Sequence, residues 1–231
     1  MPTAIVESVE EAVADVADGS TVFVSGFGLA GMPLALIDGL IGQGASDLTI
    51  VSNNAGNGDV GLAALLAARR VRKVICSFPR QADSYVFDGL YRAGLVELEV
   101  VPQGTLVERI RAAGAGIGAF FCPTGAGTAL SEGKETRQIG GNSYVLELPI
   151  KGDVALLAAH QSDQIGNLVY RKTARNFGPV MATAAATVIA QVRELVPTGA
   201  LDPEAVVTPS IYVDRVVCVE ASGAVAKGGR R

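Results

Sequence analysis

Apolar and polar positions alternate along the first half of the chain in blocks of two different periods. Short apolar runs rich in β-branched residues predict strands at residues 21–25, 48–52, 73–77, 96–101 and 119–122. Apolar residues at helical spacing predict helices at residues 3–18, 61–68 and 106–113. Two further helices are predicted, one from Pro33 to a cap at Gly42 and Gly44 and one that ends at Ala93. This alternation is typical of α/β proteins, so we expect an open, mostly parallel sheet with helices on both faces through residue 123.

The pattern changes after Pro123. Residues 133–142 are polar and rich in turn formers, and further strands are predicted at 143–149, 154–160, 167–170, 191–196 and 211–219. We expect the first three of these strands to form a mixed or antiparallel arrangement and the last two to close the fold. The alanine-rich stretch 179–190, apolar throughout, predicts a buried helix. We expect a single domain over residues 1–220, followed by a disordered glycine-rich basic tail over 221–231.

Composition agrees with this fold and limits the partners. The 231 residues are 49% apolar and include 28 glycines, which suit many tight turns between strands and helices. The formal net charge of −4 argues against nucleic acid as a partner, and no basic face with interleaved aromatic residues is seen. No apolar run reaches membrane-spanning length and no signal peptide is recognised, so we expect no membrane association.

Cysteine and histidine offer little chemistry. Cys76, Cys122 and Cys218 are odd in number and lack metal-ligand spacing, which predicts reduced thiols in a cytoplasmic protein. A nucleophilic role for Cys76 stays open, although no neighbouring base supports it. His160, the only histidine, has no serine or cysteine motif to serve, so we interpret it as structural and predict no metal site.

The candidate site is the edge of the sheet where the parallel strands end, because ligands bind there in open α/β folds. The segments that follow the predicted strands hold a glycine loop, two asparagines, an arginine and a glutamine: Ser25-Gly26-Phe27-Gly28, Asn53-Asn54, Arg80 and Gln103. Such a set donates hydrogen bonds and supplies no general base. The alternative, that the amide side chains only satisfy loop backbone, stays open at this point.

The glycine loop also matches a dinucleotide-binding pattern. Gly26, Gly28 and Gly31 follow a strand and precede a helix, as that pattern requires. The pattern also requires an acidic residue at the end of the second strand, and Asn53 and its neighbours occupy that place. Nicotinamide dinucleotide binding is therefore a minor alternative.

The stretch Asp18–Pro33 resembles the signature of family I coenzyme A-transferases in their first (α) chain, with Ser25 in place of its first glycine. Further stretches similar to that chain extend from about residue 5 to about residue 219, at 52–56, 102–106, 109–116 and 171–177. Within the family, segment 76–87 is similar to members that act on 3-oxoadipate, and members that act on acetoacetate usually differ there.

The resemblance implies a ping-pong transfer of CoA from succinyl-CoA to a 3-oxo acid, with 3-oxoadipate from aromatic-compound degradation the expected acceptor. In the family, a glutamate of the second CoA-transferase chain attacks the thioester, and it lies in a Glu-Asn-Gly context that is absent from this sequence. The resemblance therefore implies that second chain as a partner, in a heterodimer or an A2B2 heterotetramer. It implies no permanently bound cofactor, with coenzyme A thioesters as substrates.

The resemblance also implies roles for the residues at the sheet edge. Gln103 matches the family glutamine that stabilises the oxyanion of each tetrahedral intermediate. Arg80 is predicted to pair with the free carboxylate of a dicarboxylic acyl group. The remaining substrate- and CoA-binding candidates are Ser25, Gly26, Phe27, Gly28, Asn53 and Asn54. Two alternatives remain: the corresponding chain of an acetoacetate-type transferase, and a ligand-sensing module on a similar fold without catalysis.

Overall fold

The computed structural model describes residues 3–219, and the tail predicted over 221–231 lies outside the described residues. Within that range the strands are β1 Ala4–Val6, β2 Thr21–Val24, β3 Leu48–Val51, β4 Val71–Cys76, β5 Glu97–Val100, β6 Phe120–Cys122, β7 Thr136–Ile139, β8 Asn142–Glu147, β9 Gly152–Ala158, β10 Gln161–Asp163, β11 Leu168–Val169, β12 Ala185–Val192, β13 Glu194–Val196 and β14 Arg215–Cys218. The α-helices are α1 Val9–Val13, α2 Leu34–Gln43, α3 Leu62–Ala67, α4 Tyr85–Arg92, α5 Gln103–Gly114 and α6 Gly178–Ala182.

Eight strands form one parallel sheet in the order β1-β14-β12-β9-β2-β3-β4-β5. Two three-stranded sheets accompany it, one antiparallel (β6-β8-β7) and one mixed (β11-β10-β13). The predicted fold class, an open and mostly parallel α/β sheet with mixed and antiparallel strands in the C-terminal part, is confirmed.

Two hydrophobic layers cover the parallel sheet, one on each face. Alternate residues of β2 point to opposite layers: Val22 and Val24 pack with α1 to α4, and Phe23 packs with α5 and α6. This follows from the two-residue period of a strand, and burial on both faces explains why the strands read as continuous apolar runs.

Two predicted elements in the first half are wrong. Residues 3–18 are not one helix, because Ala4–Val6 pairs in parallel with Arg215–Val217 and the helix begins only after Ser8, which caps it. β6 does not extend the parallel sheet but pairs antiparallel with β8. Both differences depend on partners more than twenty residues away, which local periodicity does not reveal.

The predicted buried helix at 179–190 is also wrong beyond its first turn. Helix α6 ends at Ala182, and the chain continues as β12, where Val188 and Ile189 are buried in opposite layers. A fully buried parallel strand has the same unbroken apolar pattern as a buried helix, and the two are not distinguished by period alone. Together with β9 and β14, β12 continues the parallel sheet, and of these three strands β9 was expected in a mixed or antiparallel arrangement.

None of the helices within residues 3–219 is long and apolar enough to span a bilayer.

Candidate active site

The candidate site lies where three neighbouring parallel strands end. Asn53 comes two residues after β3, Ser77 directly follows β4, and Gln103 comes after β5 as the first residue of α5. Because β3, β4 and β5 are adjacent in the sheet, these three residues share one edge, as the sequence predicted for Asn53 and Gln103. The helix begins three residues earlier than expected, so Gln103 belongs to its first turn and not to a loop.

A hydrogen-bonded chain of side chains joins these three residues. The amide nitrogen Nδ2 of Asn53 donates to Ser77 Oγ at 3.0 Å and to Gln103 Oε1 at 3.1 Å. Asn53 is buried, whereas Gln103 is exposed. The amide group of Gln103 is thus held by its oxygen, and within residues 3–219 its Nε2 has no acceptor.

Asn54 and Ser52 flank Asn53 and are buried with it. Asn54 Oδ1 accepts a hydrogen bond from the backbone N–H of Gly56 at 2.8 Å, so half of this amide does satisfy loop backbone. Asn54 Nδ2 and Ser52 Oγ have no hydrogen-bond partner among the described residues. Buried polar atoms normally have partners, so these two atoms are candidates to receive a ligand, a water molecule or another chain.

The glycine turn after β2 is closed by its own hydrogen bonds. The backbone N–H groups of Phe27 and Ala30 donate to each other's carbonyl oxygens, at 3.0 and 3.2 Å. The N–H of Gly26 donates to Asn176 Oδ1 at 3.0 Å. The first N–H groups of this turn are therefore occupied inside the protein, whereas Gly28 N–H has no acceptor among the described residues.

Ser25, the departure from the family signature, is buried with its hydroxyl in use. Its Oγ donates to the Gly31 carbonyl oxygen at 2.7 Å and accepts from the Ala158 N–H at 3.2 Å. The hydroxyl thus ties the two ends of the glycine turn together and joins them to β9. The structure places Ser25 as a support of the turn, and the side chain that turns outward is Phe27, with 53% of its surface exposed.

Segment 171–177 packs against the same turn, and sequence reasoning did not single out its key residue. Asn176 accepts from Gly26 N–H and donates through Nδ2 to the Ala30 carbonyl oxygen at 2.9 Å. At Gly31, where φ is +76°, a Cβ atom would lie 2.5 Å from the Ala174 carbonyl oxygen. The sequence did indicate that segment 171–177 is similar to the family. That similarity assigned no role to any single residue of the segment.

Arg80 lies on the loop after β4 and faces α4. Its Nε is 2.6 Å from Asp88 Oδ1, although its N–H is not directed at that oxygen, and Arg92 also pairs with Asp88, at 2.8 Å. About half of the Arg80 side chain is exposed, so its terminal amino groups are accessible from solvent. Contact between Arg80 and a substrate carboxylate stays a prediction.

The other chemical candidates are Cys76, the last residue of β4, and His160, which follows β9. Burial raises the pKa of the Cys76 thiol to about 12, so this thiol stays protonated at neutral pH and is a poor nucleophile. His160 follows β9 and pairs through its backbone with Val169 and Arg193. No group of three or more His, Cys, Asp or Glu side chains within residues 3–219 is arranged to hold a metal ion.

Comparison with known proteins identifies the family. The coenzyme A transferase family profile matches residues 6–219. The A subunit of 3-oxoadipate CoA-transferase from Pseudomonas putida is 67% identical over 218 residues, which cover 94% of each chain. The A subunit of succinyl-CoA:3-ketoacid coenzyme A transferase from Xanthomonas campestris (strain B100) is 53% identical, covering 87% of this chain and 83% of that one.

Among solved structures, a variant of the decarboxylase AibA/AibB superimposes with a TM-score of 0.83 at 29% identity, over 99% of this chain and 87% of that chain. Its described activity is a decarboxylation, so the fold by itself does not specify CoA transfer. The profile match and the sequence identities do specify the family. On this evidence the chain belongs to the coenzyme A transferase family.

Proposed function

We propose that this chain is the first of the two chains of an enzyme that transfers CoA from succinyl-CoA to a 3-oxo acid, with 3-oxoadipate as the preferred acceptor. The observation that carries the proposal is the amide of Gln103, an exposed residue whose side-chain oxygen is held by buried Asn53 while its Nε2 remains available to donate. The Pseudomonas putida relative, named for 3-oxoadipate, supports the choice of acceptor.

The proposed chemistry passes through tetrahedral oxyanions. A glutamate carboxylate from the partner chain attacks the thioester carbonyl carbon of succinyl-CoA, the C–S bond breaks, and an acyl-glutamyl anhydride and CoA thiolate form. The thiolate then attacks the glutamyl carbonyl, which releases succinate and leaves a glutamyl-CoA thioester. The 3-oxo acid carboxylate then attacks the carbonyl of the glutamyl-CoA thioester and expels CoA thiolate. The thiolate attacks the 3-oxoacyl carbonyl of the new anhydride, which releases the 3-oxoacyl-CoA and restores the glutamate. Each attack places negative charge on a carbonyl oxygen, where a fixed N–H donor lowers the barrier.

The side chains joined to Gln103 support the proposal that the nucleophile comes from the partner chain. Asn53 and Ser77 are neutral hydrogen-bonding groups, and neither is a carboxylate nucleophile. The nearby thiol of Cys76 is buried and stays protonated. A partner that brings a glutamate would complete the site, and the relatives' designation as one of several subunits supports a pair or an A2B2 assembly.

Substrate positioning is proposed for the residues around Gln103. Asn54 Nδ2, buried and without a partner in the described chain, would donate to bound substrate or to the second chain. The turn at Gly26, Phe27 and Gly28, fixed by Ser25, would face the CoA arm, with Gly28 N–H as its free donor. Three free cysteines are consistent with action in the cytoplasm.

A second candidate acceptor is acetoacetate, which the Xanthomonas campestris relative, named for 3-ketoacids, supports. A reconstitution experiment distinguishes the two. The purified chain is mixed with a partner chain that carries Glu-Asn-Gly, and CoA transfer from succinyl-CoA is measured with 3-oxoadipate and with acetoacetate. We expect no transfer by the isolated chain, and a higher kcat/KM for 3-oxoadipate in the mixture. Transfer by the isolated chain, or none by a co-purified pair, would contradict the proposal.

A further inference from the structure

The hydrogen bonds around Asn53 have directions that chemistry fixes. Ser77 Oγ donates its proton to the backbone carbonyl oxygen of Asn53, an atom that only accepts, at 3.1 Å. Toward the Asn53 side chain, Ser77 Oγ is therefore left as an acceptor. The group that Asn53 presents to it must be the NH2 of its amide, at 3.0 Å.

The second proton of the same NH2 determines how Gln103 is oriented. It is donated to a Gln103 atom 3.1 Å away, and the only accepting atom of a glutamine amide is its oxygen. With its oxygen turned toward Asn53, Gln103 presents its own NH2 on the opposite side. Backbone N–H groups of Ser77 and Phe78 donate to the Asn53 carbonyl at 3.2 and 3.0 Å, so the chain after β4 holds the whole group in place.

We propose that Asn53 is a positioning residue that keeps the amide of Gln103 turned with its NH2 toward the reacting carbonyl. Its burial, with 2% of its surface exposed, fits a role exerted through Gln103 and not through substrate. The inference rests on the proposed function of Gln103 as the oxyanion donor, and it replaces direct substrate binding by Asn53. Without this bond the amide could turn over and offer its oxygen to the oxyanion, which would repel it.

The test is Asn53→Asp in the enzyme reconstituted with its partner chain. This change keeps the size of the side chain but replaces a donor with an acceptor. Gln103 would then turn its NH2 toward position 53 and its oxygen toward the reacting carbonyl. We expect kcat to fall by about 10²–10³-fold, as on loss of an oxyanion donor, while KM for succinyl-CoA stays close to its original value.

Asn53→Ala is the matched control, because it removes the orienting bond without reversing it, and its loss of kcat should be smaller. The double variant Asn53→Asp with Gln103→Ala gives the readout that a structural role would not produce. Residues that act as one unit are not additive, so the double variant should lose no more kcat than Gln103→Ala alone. The positioning role would be overturned by a double variant whose loss of kcat equals the product of the two single losses. It would also be overturned by an unchanged kcat in Asn53→Asp.

Folding and assembly are followed by thermal melting and by co-purification with the partner chain. Should Asn53→Asp fail to assemble, Ser77→Ala decides the matter, because it deletes the acceptor that fixes the Asn53 amide and leaves Asn53 in place. A loss of kcat in Ser77→Ala that disappears in the Gln103→Ala background supports the proposal, and an unchanged kcat refutes it. An unchanged kcat in Gln103→Ala itself would instead remove the oxyanion role from the proposed function.

Discussion

Gln103 combines an exposed side chain with a fixed orientation. It is the first residue of α5, where the backbone is held by the helix, and its oxygen is held by buried Asn53. A donor that needs no reorganisation when charge develops is worth more to catalysis than one that must turn into place.

The first prediction concerns this donor. Gln103→Ala should lower kcat of the reconstituted enzyme by about 10²–10³-fold, because the proposed oxyanion donor is lost. KM for succinyl-CoA should change little, since the contact strengthens only in the transition state. Steady-state kinetics measures both constants. Gln81→Ala is the control, since Gln81 is another glutamine of the sheet edge and bonds Asn57 instead of Asn53.

Arg80 carries the prediction on substrate preference. Its guanidinium lies beside Asp88 with Nε as the nearest atom, so two terminal amino groups remain to bind a carboxylate. Arg80→Ala should raise KM for 3-oxoadipate more than KM for acetoacetate, because only the former keeps a free carboxylate after CoA transfer. Steady-state kinetics with each acid measures the two changes.

Arg92→Ala provides the matched control for that change. Arg92 pairs with the same Asp88 at 2.8 Å, so its removal also deprives Asp88 of a cation. It should leave the preference between the two acids unaltered. Equal effects of Arg80→Ala on both acids would count against a substrate carboxylate at Arg80.

The glycine turn and segment 171–177 form one structural element although 150 residues separate Gly26 from Asn176 in sequence. Asn176 bonds both arms of the turn, and Gly31 allows the backbone of Ala174 to approach. The contact requires glycine because φ at Gly31 is positive and its Cβ position is filled by the neighbouring segment.

Gly31→Ala should therefore destabilise the chain by more than the cost of a left-handed alanine, about 1–2 kcal/mol. Gly28→Ala is the control, since φ is +59° there and nothing lies within 4 Å of its Cβ position. Urea unfolding of both variants measures the difference in stability loss, which reports the clash of the new methyl group with Ala174 and Asn176 of segment 171–177. Equal stability losses would show that segment 171–177 moves aside at little cost.

At the level of the whole molecule, a chain of charges joins the parallel sheet to the antiparallel one. Glu99 of β5 accepts from Lys73 at 2.6 Å and from Arg109 of α5 at 2.8 Å. Arg109 also donates to the Leu148 carbonyl oxygen, and buried Glu147 of β8 pairs with Lys134 at 2.8 Å. These bonds attach the end of β8 to α5, the helix that carries Gln103.

The pH dependence of stability follows from Glu99. Burial opposes ionisation of Glu99, but hydrogen bonds from Lys73 and Arg109 outweigh it and lower the pKa of its carboxyl. A lowered folded pKa gives stability that is present above the unfolded value and is lost as pH falls through the folded one. Glu99→Gln should thus lower the free energy of unfolding by about 1 kcal/mol at pH 7, and by progressively less as the medium is acidified. Urea unfolding at a series of pH values measures this difference.

Glu97→Gln is the control on the same strand. Its side chain is 63% exposed and pairs with Arg72 at 3.3 Å, so its loss should change stability little at any pH. A Glu99→Gln variant with the same acid dependence as the original chain would contradict the role given to Glu99.

The linear pattern of residues determined most of the first half of the fold and several members of the candidate site. The alternation of β2 to β5 with helices, and the amides after β3 and β5, follow from periods and turn formers that are local in sequence. Because the strands of one parallel sheet end at one edge, the sequence alone predicted that Asn53 and Gln103 lie close together.

Three features depended on contacts in space. β12 is a strand and not a helix because it is buried between β9 and β14, and an apolar run does not encode its neighbours. Asn176 supports the glycine turn from a distant part of the chain. The direction of the Gln103 amide depends on Asn53 and Ser77, since a hydrogen bond has a donor, an acceptor and a distance that only coordinates supply.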